Sequence, residues 1–263
     1  MNNKLDLELS PELEPYRSAI EATIKQHIKI EATDNDNPTW WQSKFGGLPY
    51  MPKDFEYPKS NDGEYLHLLA QINFTEVPQL EGLPNKGILQ FYLANDEMFG
   101  CDFDNPTKQD KFRVIYFSDA DLPKEDLVTN FNFLTEIDKF CFPLKGCRAM
   151  RFKIASAPIS GGDYRFNIWR EDDVSDDLYD EYWEKFNTEG HKLLGYPDFT
   201  QSDPRDYLFK EEDYILLLQI DSEYGDDEFE ISWGDNGIGN FFIKPSNLKK
   251  LDFTKILYNW DCC

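Results

Sequence analysis

Histidine, cysteine and paired carboxylates are the side chains from which catalytic and metal sites are usually built, and this chain of 263 residues arranges them sparsely. Its histidines are His27, His67 and His191. His67 sits inside an apolar run with no nucleophile or carboxylate pattern around it, so a structural or surface role fits all three better than proton transfer. No Gly-x-Ser-x-Gly elbow and no His-Glu-x-x-His helix occurs. Cys101, Cys141, Cys147, Cys262 and Cys263 form no Cys-x-x-C pair, and the spacing of Cys141 and Cys147 matches no zinc pattern. The 50 Asp and Glu are so numerous that a catalytic pair could be assembled almost anywhere, which empties that signal of meaning. Asp221 to Glu228 offers alternating oxygens for Ca²⁺, but Gly225 falls at the fifth position and no Glu follows at the twelfth. A solvated acidic loop is the better reading. No metal and no cofactor is expected.

Two other groups repay a closer look: amides inside apolar runs, and a tryptophan beside a turn. Both belong to an internal repeat. Displaced by 148 positions, Lys44, Gly47, Pro49, Glu64, Leu68, Leu69, Gln71 and Ile72 fall on Lys192, Gly195, Pro197, Glu212, Leu216, Leu217, Gln219 and Ile220. Average residue usage would give roughly 2 such identities in a stretch of this length. Two residues further in displacement, Gly87, Ile88 and Phe91 fall on Gly237, Ile238 and Phe241. A buried amide must satisfy its donors and acceptors. Pro49 to Gln71 and Pro197 to Gln219 are both 22 residues. The spacing favours each Gln tying down the backbone of its own Gly-x-Pro turn, and the alternative makes Gln71 and Gln219 a symmetry-related pair of ligand contacts. In Trp233-Gly234-Asp235-Asn236-Gly237, Asp-Asn-Gly predicts a tight turn with Gly237 at positive φ. Trp233 then packs beneath the turn, or else stands with Asp235 on an exposed rim as an aromatic anchor and a polar contact.

The elements that must position these residues are mostly strands. Leu66 to Ile72 and Tyr214 to Ile220 are nearly continuous apolar runs, which suits strands covered on both faces. Ile88 to Leu93, Gly239 to Ile243, Arg113 to Phe117 and Lys255 to Trp260 are rich in aromatic and β-branched residues. Leu13, Tyr16, Ile20, Ile24 and Ile28 make a helical stripe after Ser10-Pro11. Ser175 caps a second helix that carries Leu178, Tyr179, Tyr182, Trp183 and Phe186, with Gly190 as its stop. Asp121 is placed to cap a third, from Leu122 towards Ile137, and Pro245 to Leu248 reads as a short helical turn. Runs of strands with segregated helices predict an α+β fold, mainly antiparallel β, in which two internally duplicated β-rich halves pack into one globule with a few peripheral helices. The expected division is an N-terminal helical segment over 1–30, a first β-rich repeat over 31–155, and an acidic helix with the second repeat over 156–263.

Composition narrows the function. The formal charge is −23, with 27 Lys and Arg. Such a balance argues against nucleic acid and against anionic membrane, both of which need clustered cations. Aromatics are 16%, which separates the chain from a disordered acidic tail. The N-terminus has no apolar run of a secretion signal, and no stretch approaches a membrane span. With an odd number of cysteines, this predicts reduced thiols and a cytoplasmic protein. Residues 171–235 hold 22 acids against Lys185, Lys192, Arg205 and Lys210, a net −18 that leaves −5 for the rest.

Several segments carry a family resemblance. Ser43-Lys44-Phe45-Gly46-Gly47-Leu48-Pro49-Tyr50-Met51-Pro52, Leu66 to Phe74 and Lys86 to Tyr92 resemble the signature of the YwqG-like family. Gly195-Tyr196-Pro197-Asp198, Leu216 to Asp221 and Trp233 to Ile243 are similar to its second half, so the resemblance spans roughly 40–260. It implies a bacterial cytoplasmic protein of a family without an established activity, and it carries no catalytic residues. Relatives of this type lie in gene neighbourhoods that include polymorphic toxins, which implies an immunity-type or partner-binding role. The expectation is therefore a non-catalytic binding protein that meets a basic protein through its acidic face. The competing expectation is an enzyme with a carboxylate or metal site between the repeats.

Overall fold

The strands that the sequence marks as apolar on both sides are covered on both sides. The computed structural model describes residues 5, 8–138, 140–170, 174–209, 212–225 and 229–263. In chain order the strands are β1 (Lys25–Ala32), β2 (Lys44–Gly46), β3 (His67–Asn73), β4 (Ile88–Leu93), β5 (Phe112–Phe117), β6 (Leu144–Lys145), β7 (Cys147–Ala157), β8 (His191–Leu193), β9 (Ile215–Asp221), β10 (Glu223–Tyr224), β11 (Glu230–Ile231), β12 (Ile238–Ile243) and β13 (Ile256–Asp261). β3 is buried from His67 to Ile72 and β9 from Leu216 to Ile220, and all six residues of β4 and all six of β12 are buried too. Side chains alternate between faces along a strand. Leu89, Phe91 and Leu93 enter the main core, whereas Tyr92 joins an outer cluster with Met51, Tyr57 and Phe131. Likewise Phe241 and Ile243 face inward, and Phe242 packs outward on Phe199 and Tyr214.

Ten strands form one antiparallel sheet, in the order β13-β12-β9-β8-β1-β7-β2-β3-β4-β5. The order is the same from either end when β1 is exchanged for β7, β2 for β8, β3 for β9, β4 for β12 and β5 for β13. At its centre β1 and β7 pair over eight residues, from Lys25 opposite Ala157 to Ala32 opposite Met150. Each also pairs outward across the middle of the chain: β1 with β8, and β7 with β2. The sheet curls until its ends meet, as a nearly closed barrel. Phe91 of β4 lies 4.9 Å from Phe241 of β12, and Phe112 of β5 lies 5.2 Å from Tyr258 of β13. The Tyr258 hydroxyl donates to Phe99 O at 2.9 Å, and Trp260 Nε1 donates to Met98 O at 2.9 Å. Three short strands, β10, β11 and β6, form a small separate sheet.

Helix is scarce, so mainly β describes the chain better than an even α+β mixture. α1 (Arg17–Ala22) is six residues, α2 (Asp176–Lys185) ten, α3 (Pro204–Leu208) five and α4 (Pro245–Leu248) four. α2 and α4 fall where the sequence places them, and the Ser175 hydroxyl accepts from Leu178 N–H as the cap. The first helix ends early. Ile24 follows it and Ile28 belongs to β1, so the helical stripe in fact spans a helix and a strand. The expected helix from Leu122 to Ile137 is a single 3-10 turn, Lys124–Asp126. The backbone there is engaged elsewhere: Lys53 N–H donates to Asp126 O, and Val128 N–H donates to Met51 O. Among the described residues, no helix is long and apolar enough to cross a membrane.

Candidate functional site

The two glutamines occupy matching frames in the two halves. Gln71 in β3 is fully buried. Its Oε1 accepts from Tyr50 N–H at 2.8 Å and from Gln90 Nε2 at 2.7 Å, and its Nε2 donates to Trp40 O and Gln42 O, both at 2.8 Å. Gln219 in β9, also fully buried, accepts from Asp198 N–H at 2.8 Å and donates to Thr188 O at 3.0 Å and Gly190 O at 2.9 Å. Tyr50, Trp40 and Gln42 lie 148 positions before Asp198, Thr188 and Gly190. Each amide thus ties the segment entering β2 or β8 to the backbone just after its Gly-x-Pro turn. The neighbouring strands add a second tie, from Gln90 Nε2 to Tyr50 O at 2.7 Å and from Asn240 Nδ2 to Asp198 O at 2.9 Å. The glutamines meet their own turns and not a shared cavity.

A buried lysine completes each frame, a feature that the sequence marks only as an identity within the repeat. Lys44 is 2% exposed, and its Nζ donates to Thr39 O at 2.8 Å and Leu48 O at 2.9 Å. Burial pulls its ammonium down to about 8, against the opposing influence of Cys147 and Glu76. Lys192 is 3% exposed and donates to Thr188 O. Burial lowers Lys192 and raises the carboxyl of Asp198, which is also buried. The turns themselves need glycine. Gly47 has φ +70°, and a Cβ there would stand 2.7 Å from Cys147 Sγ; Gly195 has φ +78°, and a Cβ would stand 2.8 Å from His27 Cβ. β7 and β1 therefore press on the two turns in the same way.

Trp233 is fully buried and is not a rim anchor. It packs edge-on against Phe99 at 5.9 Å and beside Trp260. Asp235 alone of the pair is exposed, at the tip of the turn. The positive φ values fall on Gly234 (+60°) and Asn236 (+59°), and Gly237 is not left-handed as expected. Gly237 is required for space: a Cβ would lie 2.0 Å from Asp261 O and 2.4 Å from Trp233 O.

In the acidic segment, residues 226–228 lie outside the described residues. Its first carboxylates are already engaged. Asp221 accepts from Gly190 N–H at 2.7 Å and from Ser222 N–H at 2.8 Å. His191 Nδ1 accepts from Asp221 N–H at 3.0 Å, which leaves Nε2–H to donate to Glu223 at 2.7 Å. Among the described residues, no group of three or more His, Cys, Asp or Glu is placed to hold a metal ion. A further cluster that the sequence did not reveal is the buried Arg205, which donates to Asp203, to Asp163 at 3.0 Å and to Tyr214 O at 3.0 Å, under the rings of Tyr164 and Phe242. Its donors are spent on tying α3 to the second half.

Open surface lies beside these frames. Two cavities flank Gly47 and Leu48. One of about 410 Å³ opens toward His67 and Leu144, and one of about 550 Å³ opens toward Trp40, Trp41, Lys44 and Cys147. A third, of about 530 Å³, lies over the junction of β1 and β8 and is lined by Glu31, Glu189, Asp221 and Glu223 with Lys29. Neither glutamine lines any of the three. Further along the second half, α2 buries Tyr182, whose hydroxyl donates to Ile159 O at 2.7 Å. Its opposite side carries Asp176, Asp180 and Glu184 at four-residue spacing, all exposed and, among the described residues, without a cationic partner.

Compared with known families, the chain matches a model described as a domain of unknown function over residues 43–262. No curated protein matches it.

Two measurements test the frames. Gln219→Ala removes the bonds to the carbonyls of Thr188 and Gly190 and to the N–H of Asp198, and should cost about 1–3 kcal/mol in denaturant unfolding; an unchanged melting temperature would contradict the frame. The second concerns pH. Above about 8 the folded Lys44 is neutral, while the unfolded lysine stays protonated up to its ordinary 10.5. The unfolded state binds more protons across that window, so Lys44 makes stability rise with pH there. Lys44→Met should remove that part of the slope, and an identical slope in both proteins would show that the ammonium is not desolvated.

Proposed function

The chain belongs to the family described as a domain of unknown function (DUF1963), and from its own surface chemistry we propose that it is a non-catalytic binding protein that meets a basic protein through its acidic second half. The carrying observation is the outer side of α2. Asp176, Asp180 and Glu184 form one ridge of like charge at i, i+4 spacing, which is mildly unfavourable on an isolated helix. Asp176 at the first turn gains from the helix dipole, but Glu184 stands at the end where a carboxylate is disfavoured. A cationic partner would offset both penalties and would be steered by the net charge around it. The cleft over β1 and β8 adds Glu189 on the same half of the chain.

Three finer readings go with this one. The chain is YwqG-like, on the segments that resemble that family. It arose by internal duplication, supported by the symmetric strand order and by glutamine frames that recur at a displacement of 148. It works in a bacterial cytoplasm as an immunity-type partner, a reading that fits five free cysteines and a charge of −23.

Calorimetry with a lysine-rich peptide at low ionic strength tests the binding face. The triple variant Asp176→Asn, Asp180→Asn, Glu184→Gln should bind about ten-fold more weakly than the native chain. A control that neutralises the exposed Asp54, Glu56 and Asp62 of the first half should bind as the native chain does. Equal losses in the two variants would reduce the effect to net charge and overturn the assignment of a face.

A further inference from the structure

The cavity of about 410 Å³ lies in the first half, away from the acidic ridge, and its chemistry is different. Its walls are aliphatic: Leu48, Leu68, Leu134, Ile137 and Leu144. Two uncharged polar side chains stand among them, His67 and Thr135. His67 is 3% exposed, its Nε2 lies 3.3 Å from Thr135 Oγ1, and its ring meets Phe142 edge-on at 5.9 Å. Its Nδ1 has no hydrogen-bond partner among the described residues. Burial lowers the imidazole below the usual histidine range, so at neutral pH it carries one donor and one acceptor and no charge. Among the described residues, the one ionic group lining the cavity is Lys145, at the rim, and the β6–β11 ladder sets Glu230 directly opposite it. The rim therefore favours neither sign.

We propose that this cavity binds a small, uncharged, mainly aliphatic molecule bearing one hydroxyl or carbonyl group, which pairs with His67 and Thr135. The volume is enough for a ligand of about ten heavy atoms. A charged head group would lose its hydration with no opposite charge inside to replace it. A pure hydrocarbon would cover a ring nitrogen without giving it a partner, which a hydroxyl or carbonyl avoids. Access is through the lip formed by Leu48 (42% exposed) on one side and Ile137 (45% exposed) on the other.

Ligand-observed NMR on the full chain, with 1-octanol, octanoate and octylammonium as probes, tests this. Octanol should bind saturably at one site, and the two ions should bind at least about ten-fold more weakly. Ile137→Trp and Leu48→Trp each fill the lip from an exposed position, and each should weaken octanol about ten-fold while the melting temperature stays unchanged. His67→Phe should narrow the gap between octanol and a hydrocarbon of the same length. Failure of octanol to bind, equal binding of either ion, or unchanged octanol binding in both tryptophan variants would overturn the proposal.

Discussion

The eight-residue ladder between β1 and β7 is the constraint on which the rest of the structure depends. It joins a strand that precedes the first half to a strand that precedes the second. Each strand then pairs away from its own sequence neighbours, β1 with β8 and β7 with β2. Neither half can leave the sheet without breaking the centre of the other. The same two strands press His27 and Cys147 against Gly195 and Gly47, so the ladder also sets the turns that the buried glutamines hold.

From that centre the two halves diverge in chemistry while keeping one plan. Both amides of the first frame are fully satisfied: Gln90 Oε1 accepts from the Tyr92 hydroxyl at 2.8 Å, and Gln90 Nε2 ties Tyr50 and Gln71 together. In the second, the shorter Asn240 stands in place of Gln90 and Phe242 in place of Tyr92, and Asn240 Oδ1 has no partner among the described residues. There Asp198 also brings a carboxyl beside the buried Lys192 where the first half has Tyr50. Charge follows the same division, with the acids gathered on the second half and an aliphatic cavity on the first.

Much of this was legible in the residues. Strands buried on both faces announce themselves as continuous apolar runs, which marks β3 and β9, while aromatic and β-branched content marks β4 and β12. The role of Gln71 and Gln219 followed from a constant distance to a turn, because a buried amide needs fixed partners. β1 and β7 escaped for the opposite reason: one face of each is exposed, with Lys29, Glu31 and Lys153 in contact on it. Ile20, Ile24 and Ile28 also keep a helical spacing by accident across a chain that changes from helix to strand. Trp233 shows that a turn motif fixes a local shape without fixing exposure. The aliphatic cavity left no sequence signal at all, since Leu48, His67, Thr135 and Leu144 converge only when the sheet curls.

Hydrogen exchange measured residue by residue on the native chain tests the central claim most directly, because amides that open only with the whole fold report the global unfolding free energy. The account predicts that the paired amides of β1 and β7 exchange with the same free energy as the buried amides of β4 and β12, and that all four respond alike to denaturant. Exchange of 25–32 and 147–157 at a distinctly lower free energy, with either half still protected, would contradict it.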